Sequence, residues 1–215
     1  QPAAGEWISQ SQKGFLPNRS MLYNILQIEY EAKQVVANGK RGAIILFDFR
    51  AAFPSMSQTF LMDIMEEVGL GGQWKVMLKK FYVRNVQRIG NKEGHFEARA
   101  GIRQGCPISP LLFAIAADML LRKLKIAFPD AGVHAFADDT GVVIDDIMLI
   151  PRMLGIFKEY AGFSNLHLNL SKTVVIPLFE ADLERLKADM AVIHPDCSSL
   201  QWTYHSKHLG IYIGP

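Results

Sequence analysis

The chain has 215 residues, of which 49% are hydrophobic, and its formal net charge is +2. This length allows one large domain or two small ones, with enough apolar material for a core. No run of about 18 uncharged apolar residues is present, so we expect no membrane span. Two cysteines, Cys106 and Cys197, form neither a disulfide framework nor a zinc spacing, which favours a reducing, intracellular compartment. The N-terminus has no signal-peptide pattern. The chain begins with Gln1 rather than Met, so we expect it to be part of a longer protein.

Caps and apolar runs indicate the elements of the first half. Ser20 and Ser57 can cap helices, and Asn38-Gly39 and Gly69 can end them. A continuous apolar run after residue 42 is typical of a buried strand. The predicted elements are, in chain order, a helix over residues 20–37, a strand over 43–49, helices over 57–68 and 74–83, and a hairpin of strands 86–89 and 95–100 around Asn91-Lys92-Glu93-Gly94.

In the second half, Ser109-Pro110 combines a helix cap with a first-turn proline, and Pro151 opens another helix. The predicted elements are a helix over 109–126, strands over 133–135 and 142–144, a helix over 151–162, extended segments over 166–170 and 173–179, a helix over 180–191 and a strand over 208–213. Helices and strands mix without a βαβ repeat, and the hairpins require antiparallel pairing. We therefore predict an α+β fold with helices packed on a mainly antiparallel sheet.

The small net charge conceals a basic segment between Lys75 and Arg103, which carries +6 while the rest of the chain carries −4. A basic segment beside acidic sites suits a polyanion held near bound metal. A charge run by itself is nevertheless more often a solvated helix or hairpin face. The basic residues of this segment are Lys75, Lys79, Lys80, Arg84, Arg88, Lys92, Arg99 and Arg103.

Asp138 and Asp139 interrupt two apolar strands, and this pair is the most informative feature of the chain. Adjacent carboxylates disfavour joint ionisation, and a hard divalent cation such as Mg²⁺ relieves that conflict. Asp48 ends another buried strand, although a single strand-end carboxylate is as often a backbone acceptor. Three such carboxylates can hold two metal ions roughly 3.5–4 Å apart, the common arrangement for phosphoryl transfer. A second pair, Asp145-Asp146, merely ends a strand, and we interpret it as a solvated strand exit or turn.

Residues 101–110 read Gly-Ile-Arg-Gln-Gly-Cys-Pro-Ile-Ser-Pro and lead into a helix. A helix N-terminus offers free N–H groups and a positive dipole end to an anion, although an ordinary helix entry is the alternative.

Six ordered motifs resemble those of reverse transcriptases. The Phe-Ala-Asp-Asp and Arg-Gln-Gly-Cys-Pro forms look most like non-LTR (LINE-type) retrotransposons. The motifs are Gln12-Lys13-Gly14-Phe15 with Asn18-Arg19-Ser20, Asp48-Phe49-Arg50-Ala51-Ala52-Phe53, Arg103-Gln104-Gly105-Cys106-Pro107-Ile108-Ser109-Pro110, Phe136-Ala137-Asp138-Asp139-Thr140, Leu168-Asn169-Leu170-Ser171-Lys172-Thr173 and His208-Leu209-Gly210.

The resemblance implies a polymerase palm-and-fingers core. Fingers-side segments would cover about 1–40 and 69–110, and palm segments about 41–68 and 111–215, with the thumb outside the chain. The implied activity is an RNA-directed DNA polymerase that joins a dNTP to a primer 3′-OH on an RNA template, using two Mg²⁺ or Mn²⁺ ions. The implied setting is a polyprotein with flanking thumb and endonuclease regions that acts in the nucleus.

The resemblance also assigns roles to residues at the metal site. Asp48 and Asp138 would be the principal metal ligands, Asp139 would complete the acidic site, and the Phe49 carbonyl would also touch a metal. Lys172 would protonate the pyrophosphate or pair with its charge, although a lysine at a strand end is otherwise unremarkable.

Further roles concern the nucleotide and the nucleic acid. Phe53 would lie under the incoming sugar and exclude a 2′-OH, with a core phenylalanine as the alternative. Arg19 would contact the template. The nucleotide pocket would be formed by Arg103, Gln104 and Gly105, and the primer end would be supported by His208, Leu209 and Gly210.

Pro54 departs from the LINE-type pattern, which usually has Asp at this position, and this puts the loop geometry in doubt. Two alternatives stay open, of which the Pro54 departure favours the first. One is a catalytically inactive, nucleic-acid-binding remnant of a retroelement, and the other is a palm-like nucleotide cyclase.

Overall fold

The structure is a computed structural model that describes residues 8–69, 72–82, 86–88 and 94–214. Of the predicted basic segment, Arg84, Lys92 and the side chains of Lys75 and Arg88 lie outside this description, as do residues 91–93 of the hairpin turn.

The elements follow one another in a mixed order. Helices are α1 Met21–Ala37, α2 Ala52–Ser55, α3 Gln58–Glu67, α4 Gln73–Tyr82, α5 Ser109–Ala127, α6 Ile150–Ser164 and α7 Leu183–Ile193, with short 3₁₀ turns at Ile147–Leu149 and Pro195–Ser199. Strands are β1 Ala43–Phe47, β2 Val86–Arg88, β3 His95–Glu97, β4 Gly132–Phe136, β5 Asp139–Ile144, β6 Val174–Pro177, β7 Gln201–Trp202, β8 Ser206–His208 and β9 Ile211–Ile213.

A five-stranded sheet in the order β4-β5-β1-β6-β7 forms the centre of the domain. All neighbouring pairs in it are antiparallel except β6 with β7. This confirms the predicted α+β fold with a mainly antiparallel sheet.

Strand β1 is continuously apolar because both of its faces are covered. Ile45 and Phe47 face the large core formed with α5 and α6, where the Phe47 ring stacks on Phe157 at 4.2 Å. Ile44 and Leu46 face the second core, formed with α1. Side chains alternate across a strand, so Asp48 follows on the α1 side.

The predicted helix caps at Ser20 and Ser57 are confirmed, since their hydroxyls accept hydrogen bonds from the Leu22 and Phe60 amides. The predicted cap at Ser109 is wrong. Ile108 already has helical backbone angles, so Ser109 is the first residue inside α5. Its side chain is buried.

The C-terminal segment is a hairpin rather than the predicted single strand over 208–213. Leu209 and Gly210 have φ of +49° and +86° and reverse the chain between β8 and β9. The extended segment predicted over 166–170 forms one isolated bridge, between Leu168 and Phe49. Among the described residues, none of the helices has both the length and the apolar character required to cross a bilayer.

Candidate active site

The three aspartates predicted as metal ligands lie at one end of the central sheet. β1 ends at Phe47, which pairs with Thr140 near the start of β5. Asp48 follows directly, so continuing this register by one residue places it beside Asp139. Asp138 lies in the turn between β4 and β5, immediately before Asp139. Antiparallel pairing of β1 with β5 therefore joins parts of the chain that are about ninety residues apart in sequence.

The charges of these carboxylates act on one another. The pKa of Asp139 is raised, first because its carboxyl loses hydration and then because Asp138 and Asp48 place negative charge nearby. Within the described residues, none of the three carboxylates accepts a hydrogen bond or forms an ion pair. The cluster therefore holds negative charge that no basic side chain of this part of the chain neutralises.

This donor set fits a hard divalent cation. Mg²⁺ is usually held by one or two carboxylates, while water and substrate phosphates fill its other positions. Within the described residues, no group of three or more Asp, Glu, His or Cys side chains is arranged so that it could hold a metal ion by itself. Metal binding by Asp48, Asp138 and Asp139 therefore requires ligands from water or substrate in addition, and it stays a prediction.

The segment before β6 holds Asp48 in place. The Asp48 carbonyl accepts a hydrogen bond from the Asn169 amide at 2.7 Å, and the Asp48 amide donates to the Thr173 hydroxyl at 3.4 Å. Lys172 directly precedes Thr173 and is exposed at the same end of the sheet. This places a lysine one strand away from the aspartates, on the β6 side of Asp48.

Comparison with known proteins identifies the family. Residues 1–213 match the family described as reverse transcriptase (RNA-dependent DNA polymerase).

The chain belongs to the reverse transcriptase family.

Curated relatives include retrotransposon proteins. The chain is 27% identical to the transposon TX1 uncharacterized 149 kDa protein of Xenopus laevis, over 97% of this chain and 16% of that protein. It is 29% identical to the Pol polyprotein of the type-1 retrotransposable element R2 of Popillia japonica, over 72% of this chain and 27% of that polyprotein. It is 26% identical to the Pol polyprotein of the type-2 retrotransposable element R2DM of Drosophila melanogaster, over 93% of this chain and 20% of that polyprotein. These relatives confirm a non-LTR reverse transcriptase domain, and the chain spans less than a third of the length of each.

Solved telomerases share the fold. Telomerase of Candida albicans, in complex with the TWJ fragment of telomeric RNA, superposes with a TM-score of 0.64 at 13% identity, over 91% of this chain and 33% of that one. Apo telomerase of Candida tropicalis, truncated from the C-terminal domain, superposes with a TM-score of 0.68 at 13% identity, over 95% of this chain and 39% of that one. Both confirm the polymerase-like α+β core, while the division into fingers-side and palm segments stays a prediction.

In this reverse transcriptase domain, α2 accommodates the proline that departs from the LINE-type pattern. Pro54 is the third residue of α2, where a backbone N–H would have no helical partner to lose. The Gly101 amide donates to the Met56 carbonyl at 2.7 Å, and the Ile102 amide donates to the Phe53 carbonyl at 2.8 Å. The start of the 101–110 loop is therefore fastened to the helix that carries Phe53 and Pro54.

The Phe53 ring joins the core to the surface. One face stacks on Phe113 at 4.5 Å, and its other contact is edge-on with the half-exposed Phe15 at 6.2 Å. The ring is therefore a core contact on one side only. Exclusion of a 2′-OH by Phe53 stays a prediction.

The other predicted nucleotide contacts lie in two parts of the chain, the loop before α5 and the segment after β1. Arg103, Gln104 and Gly105 are exposed in the loop before α5, and Gly105 has φ of +82°. The Phe49 ring packs on Phe157 at 5.9 Å in the large core. Their contacts with nucleotide or metal stay predictions.

Two of the predicted nucleic-acid contacts are occupied within the fold. The Arg19 guanidinium donates to the carbonyls of Ile8, Ser9 and Gln12 at 2.5–2.8 Å, so it holds the N-terminal segment in place. The His208 ring is 5% exposed, so this residue could reach nucleic acid only through its backbone. Leu209 and Gly210 form the hairpin turn, and their contact with the primer stays a prediction.

Sequence reasoning missed Gln12. Its side chain is fully buried and bonds to the backbone of Ala137, in the turn that carries Asp138. The only signal in the sequence is its place in the Gln-Lys-Gly-Phe motif, which does not reveal a partner 125 residues away.

Proposed function

We propose that this chain is the catalytic core of an RNA-directed DNA polymerase. It extends the 3′-OH of a DNA primer with deoxynucleotides on an RNA template, using divalent metal ions held by Asp48, Asp138 and Asp139. The observation that carries this proposal is the meeting of three carboxylates without counter-charges at one end of the sheet. Membership in the reverse transcriptase family supports it.

Asp48 and Asp138 are the principal ligands in this proposal, and Asp139 adds charge to the same site. Two Mg²⁺ or Mn²⁺ ions bound there would activate the primer hydroxyl and neutralise the charge of the leaving pyrophosphate. Lys172, exposed at the same end of the sheet, pairs with the pyrophosphate or donates a proton to it. In the same proposal, Phe53, which lies on α2, rejects ribonucleotides by contact with a 2′-OH.

The nucleic acid follows a surface with exposed positive charge. Lys79 and Lys80 are exposed on α4, and Arg103 and Gln104 are exposed in the loop before α5. Neutralisation of backbone phosphates by such residues gives salt-dependent affinity. The telomerase bound to a fragment of telomeric RNA supports RNA as a partner of this fold.

The longer protein is proposed to supply thumb and endonuclease regions and to act in the nucleus. The relatives support this setting by their length and by their naming as retrotransposon proteins. Fractionation of cells that express the full-length protein tests the compartment, and recovery from the cytosol alone would contradict it.

Primer extension on an RNA template by the full-length protein tests the activity. Asp138→Asn is expected to abolish extension. Asp145→Asn is the matched control, because it makes the same change at the other end of β5, where Asp145 pairs with Lys40 at 2.6 Å. We expect the control to retain extension. Equal activity of wild type and Asp138→Asn would refute the proposal.

The same assay separates the alternatives. A catalytically inactive remnant would bind RNA with a salt-dependent affinity yet extend no primer at any Mg²⁺ or Mn²⁺ concentration. A nucleotide cyclase would convert nucleotide without primer or template, and the family match over residues 1–213 argues against it.

A further inference from the structure

A buried glutamine fastens the turn that carries the catalytic aspartates. The Gln12 side-chain amide donates to the Ala137 carbonyl at 3.1 Å, and its oxygen accepts from the Ala137 amide at 2.9 Å. The same oxygen accepts from the Gly14 amide at 2.8 Å. One side chain therefore bonds to both backbone polar groups of Ala137, the residue directly before Asp138.

The backbone on either side of Gln12 is aligned with the strand that leads into the turn. The Lys13 amide donates to the Ala135 carbonyl, and the Ala135 amide donates to the Ser11 carbonyl, both at 2.7 Å. Gly14 lies so close to the turn that a Cβ added to it would overlap the Ala137 backbone nitrogen. Segment 11–14 and the turn are thus in direct backbone contact.

The turn requires such support because of its backbone conformation. Ala137 has φ of +58°, a left-handed conformation that is unfavourable for a residue with a Cβ and no side-chain hydrogen bond of its own. Conformations of this kind persist when the surroundings hold them. Within the described residues, Gln12 is the side chain that binds the Ala137 backbone.

We propose that Gln12 is a positioning residue, which sets the direction of Asp138 and Asp139 by holding Ala137 in its left-handed conformation. This inference rests on the proposed function, since it concerns how the chain presents its carboxylates to metal. Gln12 touches neither the carboxylates nor the substrate, and it acts through the backbone of the turn.

Four variants of the full-length protein test this role: Gln12→Ala, Ala137→Gly, the two combined, and Tyr160→Phe. Tyr160→Phe is the matched control, because it also removes a fully buried hydrogen bond, from the hydroxyl to the Ala116 carbonyl at 2.7 Å, away from the turn. Two quantities are measured: the Mg²⁺ concentration for half-maximal primer extension, and the hydrogen-exchange rate of peptides covering residues 135–140.

Gln12→Ala is expected to raise the Mg²⁺ requirement about tenfold, as the loss of residues that orient metal ligands commonly does. It is also expected to speed exchange at the turn. In the combined variant, Ala137→Gly should bring the Mg²⁺ requirement and the exchange rate of the turn back towards wild type, because glycine adopts positive φ without a steric penalty. Tyr160→Phe should leave the Mg²⁺ requirement unchanged.

Two results would overturn the positioning role. The first is that Gln12→Ala keeps the wild-type Mg²⁺ requirement while Asp138→Asn is inactive. The second is that Tyr160→Phe raises the Mg²⁺ requirement as much as Gln12→Ala does. Equal activity of wild type and Asp138→Asn would instead refute the proposed function. In that case hydrogen exchange still tests whether Gln12 holds the turn, and unchanged exchange at 135–140 in Gln12→Ala would overturn the positioning role as well.

Discussion

Replacing His208 with leucine is expected to remove much of the acid sensitivity of this domain. The His208 ring is buried, and its Nε2 has no hydrogen-bond partner among the described residues. Burial, and next the nearby His134, lower the pKa of His208 to about 4 from an ordinary value of 6.5. His134 itself forms a hydrogen bond with Glu31, with 2.7 Å between Nε2 and the carboxylate oxygen.

The sign and size of the effect follow from this lowered pKa. The unfolded chain binds a proton at His208 below pH 6.5, whereas the folded chain resists it until about pH 4. Stability is therefore lost as the pH falls through this window. The full difference is worth roughly 3 kcal/mol, of which about 2 kcal/mol is lost between about pH 7 and about pH 5.

Urea unfolding followed by tryptophan fluorescence at a series of pH values measures this loss. Wild type should lose about 2 kcal/mol more than His208→Leu between about pH 7 and about pH 5. His205→Leu is the control, because His205 is an exposed histidine just before β8. It should follow the wild-type curve. Parallel curves for wild type and His208→Leu would refute the reasoning, since carboxylates and other histidines contribute equally to both.

Three further predictions concern the sheet and the site. Asp139→Asn should raise the free energy of unfolding by about 0.5 kcal/mol in metal-free buffer at neutral pH, because it removes a carboxylate whose pKa is raised in the fold. The gain is small because solvent screens the repulsion between the carboxylates. Urea unfolding measures this gain, and a loss of stability would contradict the prediction. Gly132→Ala should cost about 1–2 kcal/mol, because the new Cβ would overlap the Glu31 carboxylate and displace it from its histidine partner. Gly155→Ala, whose new Cβ meets open space on α6, should instead stabilise the fold by about 0.5–1 kcal/mol. If both variants changed the free energy of urea unfolding in the same direction, the steric explanation for Gly132 would be wrong. Phe53→Ala should raise the kcat/KM ratio of ribonucleotide to deoxynucleotide incorporation, a ratio that is independent of the folded fraction; an unchanged ratio would leave Phe53 as a core residue only.

The elements predicted correctly from the sequence depend on local chemistry or on long apolar runs. α1 begins where Ser20 can accept a hydrogen bond from a backbone amide, and β1 is apolar at every position because two cores cover it. The four-residue helix α2 was missed because it is too short to show a helical period. The turn between β8 and β9 was missed because leucine at position 209 is unusual at positive φ, so no Asn-Gly type signal marks the hairpin.

The candidate site was predictable only as far as its acidic residues. Asp48, Asp138 and Asp139 were singled out because each stands at the end of an apolar run, and the pairing of β1 with β5 explains why those ends meet. The role of Gln12 depends on a contact across 125 positions of sequence. A buried polar residue in a loop has no period and no cap position to reveal it. Contacts of this kind emerge only when the fold places the loop against the turn.

The two Asp-Asp pairs at the ends of β5 have the same residue types but different surroundings, and the surroundings are what favour one of them as the proposed metal site. Asp145 is neutralised by Lys40 at 2.6 Å, and Asp146 accepts from the Met148 amide at 2.9 Å to cap a 3₁₀ turn. At the other end of the same strand, Asp138 and Asp139 have no such partner within the described residues. A carboxylate that already has a counter-charge or an N–H donor gains little from a cation, whereas a repelling pair without either gains much. Supplying a lysine near the β4–β5 turn should therefore weaken Mg²⁺ binding even with every aspartate in place.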